Sequence, residues 1–237
     1  METNKIKVKL EAPMVQARYQ YAIDVMLTRL RMIDADLTKK NERPLIRNLC
    51  SRIKTAESIV KKLKNDGCEV SIDNMVEHLN DIAGIRIICS FMSDIYPIAD
   101  MIARQADITV LHVKDYIKYP KTNGYKSYHM VVTIPVYLSE GKRDTKVEIQ
   151  IRTIAMDFWA SLEHKIAYKF EGKAPDYLER ELKSCADMVD MLDMKMFSLN
   201  QAIMAVEEEE RRVEEEKRRE REKAEKRQEE LAGNGPT

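Results

Sequence analysis

The sequence lacks the paired cysteines and the long apolar runs on which many metal sites and membrane anchors depend. Its four cysteines lie far apart and form no CxxC pair, which argues against a zinc site and a disulfide framework. No stretch of about 18 consecutive apolar residues occurs, and no apolar segment typical of a signal peptide stands at the N-terminus. These absences predict a soluble cytoplasmic protein with reduced thiols and no membrane partner.

Two common signatures of nucleotide-binding folds are also missing, since neither a GxxxxGKS/T loop nor a GxGxxG loop is present. The 40 basic residues balance the 40 acidic ones, so the chain lacks the overall positive field of a bulk nucleic-acid binder. A site for an anion must therefore be a local cluster of cations. With 237 residues and 44% hydrophobic content, the chain is long enough for one sizeable core.

Helical spacing of apolar residues dominates the start of the chain. Residues 15–37 have apolar side chains three or four positions apart, which predicts a first helix. A second helix is predicted over residues 51–65, with Ser51 as its N-cap. Residues 94–105 and 158–166 have the same helical character.

The middle of the chain changes to a period of two. Ile85, Ile87 and Cys89 alternate with other residues in a β-branched segment, which predicts a mostly buried strand. Further strands are predicted at 108–116, 128–138 and 145–152. The fold class that follows is α+β, in which a mixed, mostly antiparallel sheet is flanked by helices.

The C-terminal part predicts a long helix, because no glycine or proline occurs between Asp176 and Gly233. Nearly every residue from 207 to 230 is charged, with both signs interleaved, which favours a solvated helix or a frayed tail over a binding surface. We therefore predict a main domain over 1–172, a helical segment over 173–206 and a charged tail over 207–237.

Polar side chains in the predicted sheet are candidates for chemistry. Period-two geometry puts Glu148, Gln150 and Arg152 on one face of their strand. Asp81 lies just before the strand that carries Arg86, and with Glu148 it offers two carboxylates. Mg²⁺ keeps several waters, so one or two carboxylates suffice beside a nucleotide. A half-exposed surface sheet would show the same alternation, and Asp81 alone would also fit a turn.

Basic residues cluster in two regions, where they are candidates for phosphate contacts. The predicted helix over 51–65 presents Arg52, Lys54, Lys61 and Lys62, and the region before the third strand carries Lys114, Lys118, Lys121 and Lys126. Residues 116–129 interleave these lysines with tyrosines, a mixture suited to stacking a base while holding its phosphates. Each lysine alone would equally fit a solvated surface, and His129 alone a packed histidine.

Four ordered motifs in this chain resemble the RelA/SpoT synthetase domain. They are Ser51-Arg-Ile-Lys54, Asp81-Ile-Ala-Gly-Ile-Arg86, Lys121-Thr-Asn-Gly-Tyr-Lys-Ser-Tyr-His129 and Glu148-Ile-Gln-Ile-Arg-Thr153. The resemblance covers residues 40–172, and the small size is similar to the RelQ-like small alarmone synthetases. It implies a nucleotidyltransferase-like synthetase fold and a GTP pyrophosphokinase. Such an enzyme transfers pyrophosphate from ATP to the 3′-hydroxyl of GDP or GTP, which makes (p)ppGpp and releases AMP.

The resemblance implies roles for individual residues toward ATP. Arg52 and Arg86 would sandwich the adenine. Asp81 would bind Mg²⁺, the expected cofactor, with Glu148 as the second carboxylate at the metal. The ATP phosphates would be held by three lysines, Lys54, Lys62 and Lys114.

It also implies roles toward the acceptor nucleotide. Tyr125 would stack the guanine, while Lys121 and His129 would hold the acceptor phosphates. Glu148 would orient or deprotonate the 3′-hydroxyl, and Gln150 would support that arrangement. Bifunctional relatives add a hydrolase domain whose metal ligands include a His-Asp pair. No His-Asp dipeptide occurs here, so we expect synthesis without hydrolysis.

RelQ-like synthetases resemble one another in forming homotetramers through flanking helices, which would make 173–206 an oligomerisation segment. Apolar residues on the first helix and at Met188, Leu192 and Met196 fit subunit contacts, but they fit packing within one subunit equally well. In some members, pppGpp binds at a site between subunits and activates synthesis. Allosteric pppGpp and single-stranded RNA are therefore further candidate partners, without assigned residues.

Two alternative functions fit parts of the sequence. Some relatives are toxins that transfer pyrophosphate to the 3′ end of tRNA, although Tyr125 and its loop favour a nucleotide acceptor. A non-catalytic RNA-binding protein would instead use the long charged helix, and it would not need Glu148 or Asp81.

Overall fold

The computed structural model describes residues 13–170 and 174–233. These residues contain six helices and five strands. In chain order they are α1 (Pro13–Asn41), β1 (Ile46–Ile53), α2 (Ala56–Asn65), α3 (Ile72–His78), β2 (Ala83–Cys89), α4 (Met92–Ala103), β3 (Thr109–Asp115), β4 (Tyr128–Leu138), β5 (Gly141–Thr153), α5 (Ile154–Lys169) and α6 (Asp176–Gly233). The predicted α+β class and the long C-terminal helix are confirmed.

The described residues up to Asp193 form one compact unit, and those from Met194 onward form a second. The predicted division at residues 172 and 206 stays a prediction. Residues 1–12 of the predicted main domain, residues 171–173 at its boundary and residues 234–237 of the predicted tail lie outside the described residues.

The sheet has the strand order β1-β2-β5-β4-β3. Strand β2 pairs with β5 in parallel, whereas the β1–β2, β4–β5 and β3–β4 pairs are antiparallel. This confirms the prediction of a mixed, mostly antiparallel sheet. The two strands that carry Arg86 and Glu148 therefore lie side by side in its centre.

One face of the sheet forms the hydrophobic core. Ile85, Ile87, Ile149 and Ile151 are at most 2% exposed, because period-two alternation directs them all to the same face. Helix α1 packs against β1, β2, β4 and β5, and α4 packs against β2 and β5. The apolar stripe of α1, including Leu30, is buried in this core. The opposite face is left for polar side chains.

The prediction of a helix over 51–65 is wrong in its first part. Ser51 lies in β1, where it pairs with Ile85, and Arg52 pairs with Gly84. Helix α2 begins at Ala56, and its N-cap is Thr55, whose hydroxyl accepts a hydrogen bond from the Ser58 amide. Pairing with β2 satisfies the backbone of these residues, so the sheet contact overrides the local helical pattern.

Three other elements differ from the predictions. Strand β5 begins at Gly141, four residues earlier than predicted, because it forms a hairpin with β4. Helix α3 was not predicted. In α5, Phe158 and Leu162 are 61% and 43% exposed, and Met156, Trp159 and Ala160 are buried instead. None of the described helices is long and apolar enough to span a bilayer.

The buried face predicts where a cavity would be most damaging. Ile149 is fully buried in the central strand, so Ile149→Ala should lower the free energy of unfolding by about 2–4 kcal/mol. Urea denaturation followed by circular dichroism measures this loss. The matched change Ile154→Ala, at a side chain that is 54% exposed, should lower it by less than about 0.5 kcal/mol. Equal losses would contradict the assignment of the core.

Candidate active site

Two rows of register partners cross the polar face of the sheet and contain many of the predicted site residues. The first row runs over all five strands through Cys50, Arg86, Gln150, His129 and Lys114. The second row contains Arg52, Gly84 and Glu148. Register partners on neighbouring strands point to the same face. The sheet therefore brings together cations and one carboxylate from distant parts of the chain.

Two adjoining cavities open over these rows, and together we call them the cleft. The smaller cavity, about 110 Å³, includes Glu148 in its wall. The larger cavity, about 520 Å³, includes His129 and residues of α5. Arg52, Arg86 and Gln150 line both cavities. The cleft thus has two compartments with a shared wall, which suits two substrates that meet.

Glu148 lies in the wall of the smaller cavity, next to Gln150, which lines both cavities. Its Oε2 atom accepts a hydrogen bond from Gln150 Nε2 at 3.0 Å. Its Oε1 atom lies 3.9 Å from His129 Nδ1. The Glu148 side chain is 20% exposed, so it is reachable from the cleft. A carboxylate held on one oxygen can accept a hydrogen bond from an incoming hydroxyl on the other, as a general base does.

Arg152 holds the neighbouring side chains in place. It is only 5% exposed, and its Nη2 atom donates to Tyr125 Oη at 2.5 Å and to Gln150 Oε1 at 3.0 Å. Its Nη1 atom donates to Asp157 Oδ1 at 3.1 Å. The second contact orients the Gln150 amide so that its NH₂ group faces Glu148. The sequence placed Arg152 on this face but gave it no role, although its two-residue spacing from Gln150 was the available signal.

Tyr125 is the centre of an aromatic and cationic group at the larger cavity. Lys121 Nζ lies 4.8 Å from the centroid of the Tyr125 ring and 5.0 Å from that of Tyr116. Tyr125 Oη and His129 Nε2 are 2.8 Å apart and share a hydrogen bond. A ring flanked by cations is suited to stacking a base beside its phosphates. The structure therefore brings Lys121, Tyr125 and His129 together.

His129 is uncharged in this site at neutral pH. Burial lowers the pKa of its imidazole, and the positive charges of Arg152, Lys121 and Lys114 lower it further, to about 3. A positive charge on the ring would be poorly solvated and repelled by its neighbours. In the free protein, His129 therefore acts as a hydrogen-bond partner of Tyr125 and not as a cation.

Asp81, Lys54 and Lys62 form a separate cluster beside the start of β2. The carboxylate oxygens of Asp81 lie 2.8 Å from Lys54 Nζ and 2.9 Å from Lys62 Nζ. Burial raises the pKa of Asp81, but the hydrogen bonds and charges of the two lysines outweigh burial and hold this pKa below its usual value. Asp81 is therefore an ionised oxygen donor, although it lines neither cavity of the cleft.

The predicted metal ligands fit an ion that a nucleotide helps to hold. Within the described residues, no group of three or more histidine, cysteine, aspartate or glutamate side chains is arranged around a metal position. Mg²⁺ in phosphoryl-transfer sites needs only one or two carboxylates, because phosphates and water complete its shell. Asp81 and Glu148 are donors of that hard oxygen type. The assignment of Mg²⁺ to them stays a prediction.

Lys114 is grouped with the acceptor residues and not with the other two lysines predicted for ATP. Lys114 lies on β3, at the opposite edge of the sheet from β1, and it pairs with His129 on β4. Four strand spacings of about 4.8 Å separate those edges by about 19 Å. Arg52, Lys114 and Lys121 form no ion pair within the described part of the chain. Their charges are therefore available to an anionic ligand.

The chain is similar in sequence to known proteins. Residues 51–173 match the family described as "Region found in RelA / SpoT proteins". GTP pyrophosphokinase YwaC from Bacillus subtilis (strain 168) is 45% identical over 185 residues, which cover 78% of this chain and 88% of that protein.

Solved structures share the fold. The small alarmone synthetase 2 from Bacillus subtilis has a TM-score of 0.71 at 44% identity and covers 78% of this chain and 97% of that one. The small alarmone synthetase 1 from the same organism, bound to its product pppGpp, has a TM-score of 0.75 at 31% identity and covers 82% and 98%.

The neutral state of His129 predicts how stability depends on pH. Below the usual histidine pKa, the unfolded chain binds a proton at this position, whereas the folded protein binds one only near pH 3. Stability is therefore lost as the pH falls below about 6.5. His129→Gln should reduce the loss of unfolding free energy between pH 7.5 and pH 5.0 by about 1–2 kcal/mol. Urea titrations at both pH values test this, and an equal loss in both proteins would contradict it.

Proposed function

This chain belongs to the RelA/SpoT family, and we propose that its cleft transfers the pyrophosphate group of ATP to the 3′-hydroxyl of GDP or GTP. The products are AMP and the 3′-pyrophosphorylated guanosine nucleotide. The observation that carries this proposal is the position of Glu148, which lines the smaller compartment and is hydrogen-bonded to Gln150 in the wall that the two compartments share. Each compartment would hold one substrate, and the carboxylate lies beside the shared wall.

The acceptor nucleotide occupies the larger compartment. Tyr125 stacks the guanine, while Lys121 attracts the phosphates and His129 supports the tyrosine hydroxyl. Glu148 accepts the proton of the 3′-hydroxyl, and Gln150 keeps the carboxylate oriented. The hydroxyl oxygen then bonds to the β-phosphorus of ATP as the bond from that phosphorus to the AMP oxygen breaks. In this assignment Glu148 is the general base, and Tyr125 is the ring on which the guanine stacks.

Most residues proposed for ATP lie on β1, β2 and α2 or directly after β1, whereas Lys114 lies on β3. Arg52 and Arg86 supply planar guanidinium groups that can lie on the two faces of an adenine ring. Arg86 is fixed by Asp157 at 3.2 Å, and its buried Nε atom has no hydrogen-bond partner within the described residues. Three lysines are proposed for the ATP phosphates, Lys54, Lys62 and Lys114. The first two must exchange the Asp81 carboxylate for phosphate oxygens.

Mg²⁺ is the cofactor that this reaction needs. Asp81 and Glu148 are proposed to hold it together with the nucleotide phosphates, and when bound it offsets the negative charge that develops during transfer. Phosphoryl-type transfer depends mostly on positioning and charge neutralisation. The cations and carboxylates of the cleft are the residue types that such catalysis requires.

The proposed assembly is a homotetramer. Apolar residues on α1 and on α6 were both candidates for subunit contacts. Those of α1 are buried in the core. On α6, however, Met188, Leu192 and Met196 are 54%, 58% and 49% exposed, so packing within one subunit leaves about half of each side chain uncovered. These three side chains support a contact with a second copy. Synthesis in the cytoplasm, activation by pppGpp and binding of single-stranded RNA are proposals without assigned residues.

The role of Glu148 makes the first prediction for activity. Glu148→Gln keeps the shape of the side chain but removes the proton acceptor, so kcat should fall at least about 100-fold. Incubation with γ-³²P-ATP, Mg²⁺ and GDP or GTP, followed by separation of the nucleotides, measures this. Glu140→Gln, at an exposed carboxylate paired with Arg143, is the control and should retain full activity.

The same assay distinguishes the acceptor. Transfer of label to tRNA at a rate equal to that to GDP would contradict a nucleotide acceptor. Full activity of Glu148→Gln would contradict the assignment of the base. Circular dichroism of both variants shows whether a loss of activity comes from misfolding instead.

The α6 stripe predicts the effect of a charge on assembly. Leu192→Asp would place a carboxylate in the proposed subunit contact, so the mass measured by gel filtration with light scattering should fall from that of a tetramer. Tyr137→Asp, at a residue of β4 that is 75% exposed, should leave the mass unchanged. A wild-type monomer would refute the assembly directly.

A further inference from the structure

The first part of α6 lies against the loop that carries the acceptor residues. We call residues 121–126 the acceptor loop and residues 182–193 of α6 the brace. The reaction proposed above does not use the brace, whose exposed Met188 and Leu192 were assigned only to a subunit contact. Four separate contacts connect it to the acceptor loop or to the end of β5, and all of them lie within one compact unit.

The first contact is an ion pair. Lys126 Nζ lies 2.5 Å from Asp190 Oδ1, and the two side chains are 23% and 29% exposed. Lys126 was a sequence candidate for phosphate binding, but its ammonium group points to α6. Its charge therefore fastens the acceptor loop instead of attracting a nucleotide.

The second contact is a close approach of backbone to helix. Gly124 has φ of +88°, and a Cβ atom built there would lie 2.5 Å from Ala186 Cβ. Both the positive φ and the lack of space require glycine at this position. The acceptor loop therefore touches the brace directly, one residue before Tyr125.

The third contact is a small apolar cluster beneath Tyr125. Trp159, Ala160 and Ala186 are buried together, and Tyr125 packs against them. Trp159 Nε1 also donates to the Leu182 carbonyl at 2.9 Å, so α5 and α6 are joined behind the ring. The Tyr125 ring is thus supported in part by Ala186 of the brace.

The fourth contact fixes the brace to the end of β5. Thr153 Oγ1 donates to the buried carboxylate of Asp193 at 2.7 Å, and the same hydroxyl accepts from the Met156 amide at 3.1 Å. Strand β5 carries Glu148. The brace is therefore anchored to the strand that holds the proton acceptor.

From these contacts we infer that the brace positions the acceptor loop, and that Asp190 and Lys126 are positioning residues for the acceptor nucleotide. The inference rests on the proposed function for the identity of that nucleotide. Of the residues proposed for adenine and the ATP phosphates, Arg52 lies on β1, Lys54 directly follows it and Lys62 lies on α2, whereas Arg86 lies on the neighbouring strand β2. Loosening the brace should therefore weaken acceptor binding and leave ATP binding unchanged.

The test compares the wild type with Asp190→Asn, with the matched control Asp187→Asn and with the charge swap Lys126→Glu/Asp190→Lys. Asp187 pairs with Lys183 on the same helix and is 63% exposed. Asp190→Asn should raise KM for GDP about three- to fivefold, as expected for a partly exposed ion pair, with KM for ATP unchanged. Asp187→Asn should change neither KM, and the charge swap should restore KM for GDP.

Hydrogen exchange of the acceptor loop gives a readout that does not depend on activity. The amides of Gly124 and Tyr125 are hydrogen-bonded within the loop, so they should exchange faster in Asp190→Asn and not in Asp187→Asn. Unchanged exchange in Asp190→Asn would overturn the brace. Faster exchange with unchanged KM for GDP, or an equal rise of KM for both substrates, would overturn its role in acceptor binding. A wild type that forms no product would refute the proposed function, and exchange alone would then decide whether the brace holds the loop.

Discussion

The parallel pairing of β2 with β5 is the constraint on which the rest of the molecule depends. It sets Gly84 beside Glu148 and Arg86 beside Gln150. A shift by one residue would turn every one of these side chains toward the opposite face. That shift would also expose the isoleucines that α1 and α4 cover. The core and the cleft therefore depend on the same register. Burial of the apolar face fixes that register, and the register fixes the positions of the polar side chains on the other face.

Charge in this protein is arranged locally and not globally. The chain has no net charge, yet the cleft combines unpaired cations with a neutral His129. Ion pairs occupy other cations, as with Lys54 and Lys62 on Asp81. Under the roles proposed for Lys54 and Lys62, the phosphates of ATP would compete with the Asp81 carboxylate for these lysines. Burial and, after it, the neighbouring positive charges together lower the pKa of His129.

The sequence was sufficient for the parts of the fold that local patterns determine. The period of α1 and the alternation in β2 identified both elements, since their buried residues are also their apolar ones. Strand β1 was missed because only one of its eight residues is buried and five are exposed, so it shows no alternation of apolar and polar residues. An edge strand of this kind is defined by its partner β2, which lies about 30 residues later in the chain, and local spacing carries no trace of that.

The candidate site follows the same division. The residues on one strand, such as Glu148 and Gln150, were predicted to share a face, and the structure agrees. Arg152 and Asp190 received no role, because contacts such as those of Arg152 with Tyr125 and Asp157, or of Asp190 with Lys126, join different elements and leave no pattern in the sequence. The grouping of Lys114 with His129 likewise depends on strand order and not on spacing. Tertiary pairing thus decided what pattern alone left open.

A continuous path of hydrogen bonds joins Glu148 to Gln150, Gln150 to Arg152 and Arg152 to Tyr125. The separation between the carboxylate and the aromatic ring is therefore set before any nucleotide arrives. Under the proposed roles, the base of the acceptor contacts Tyr125 and its 3′-hydroxyl contacts Glu148. The distance between the base and the hydroxyl must therefore match the distance between these two side chains. A nucleotide of the wrong length or sugar pucker would stack without offering its hydroxyl, and discrimination would arise from geometry even where affinity is similar.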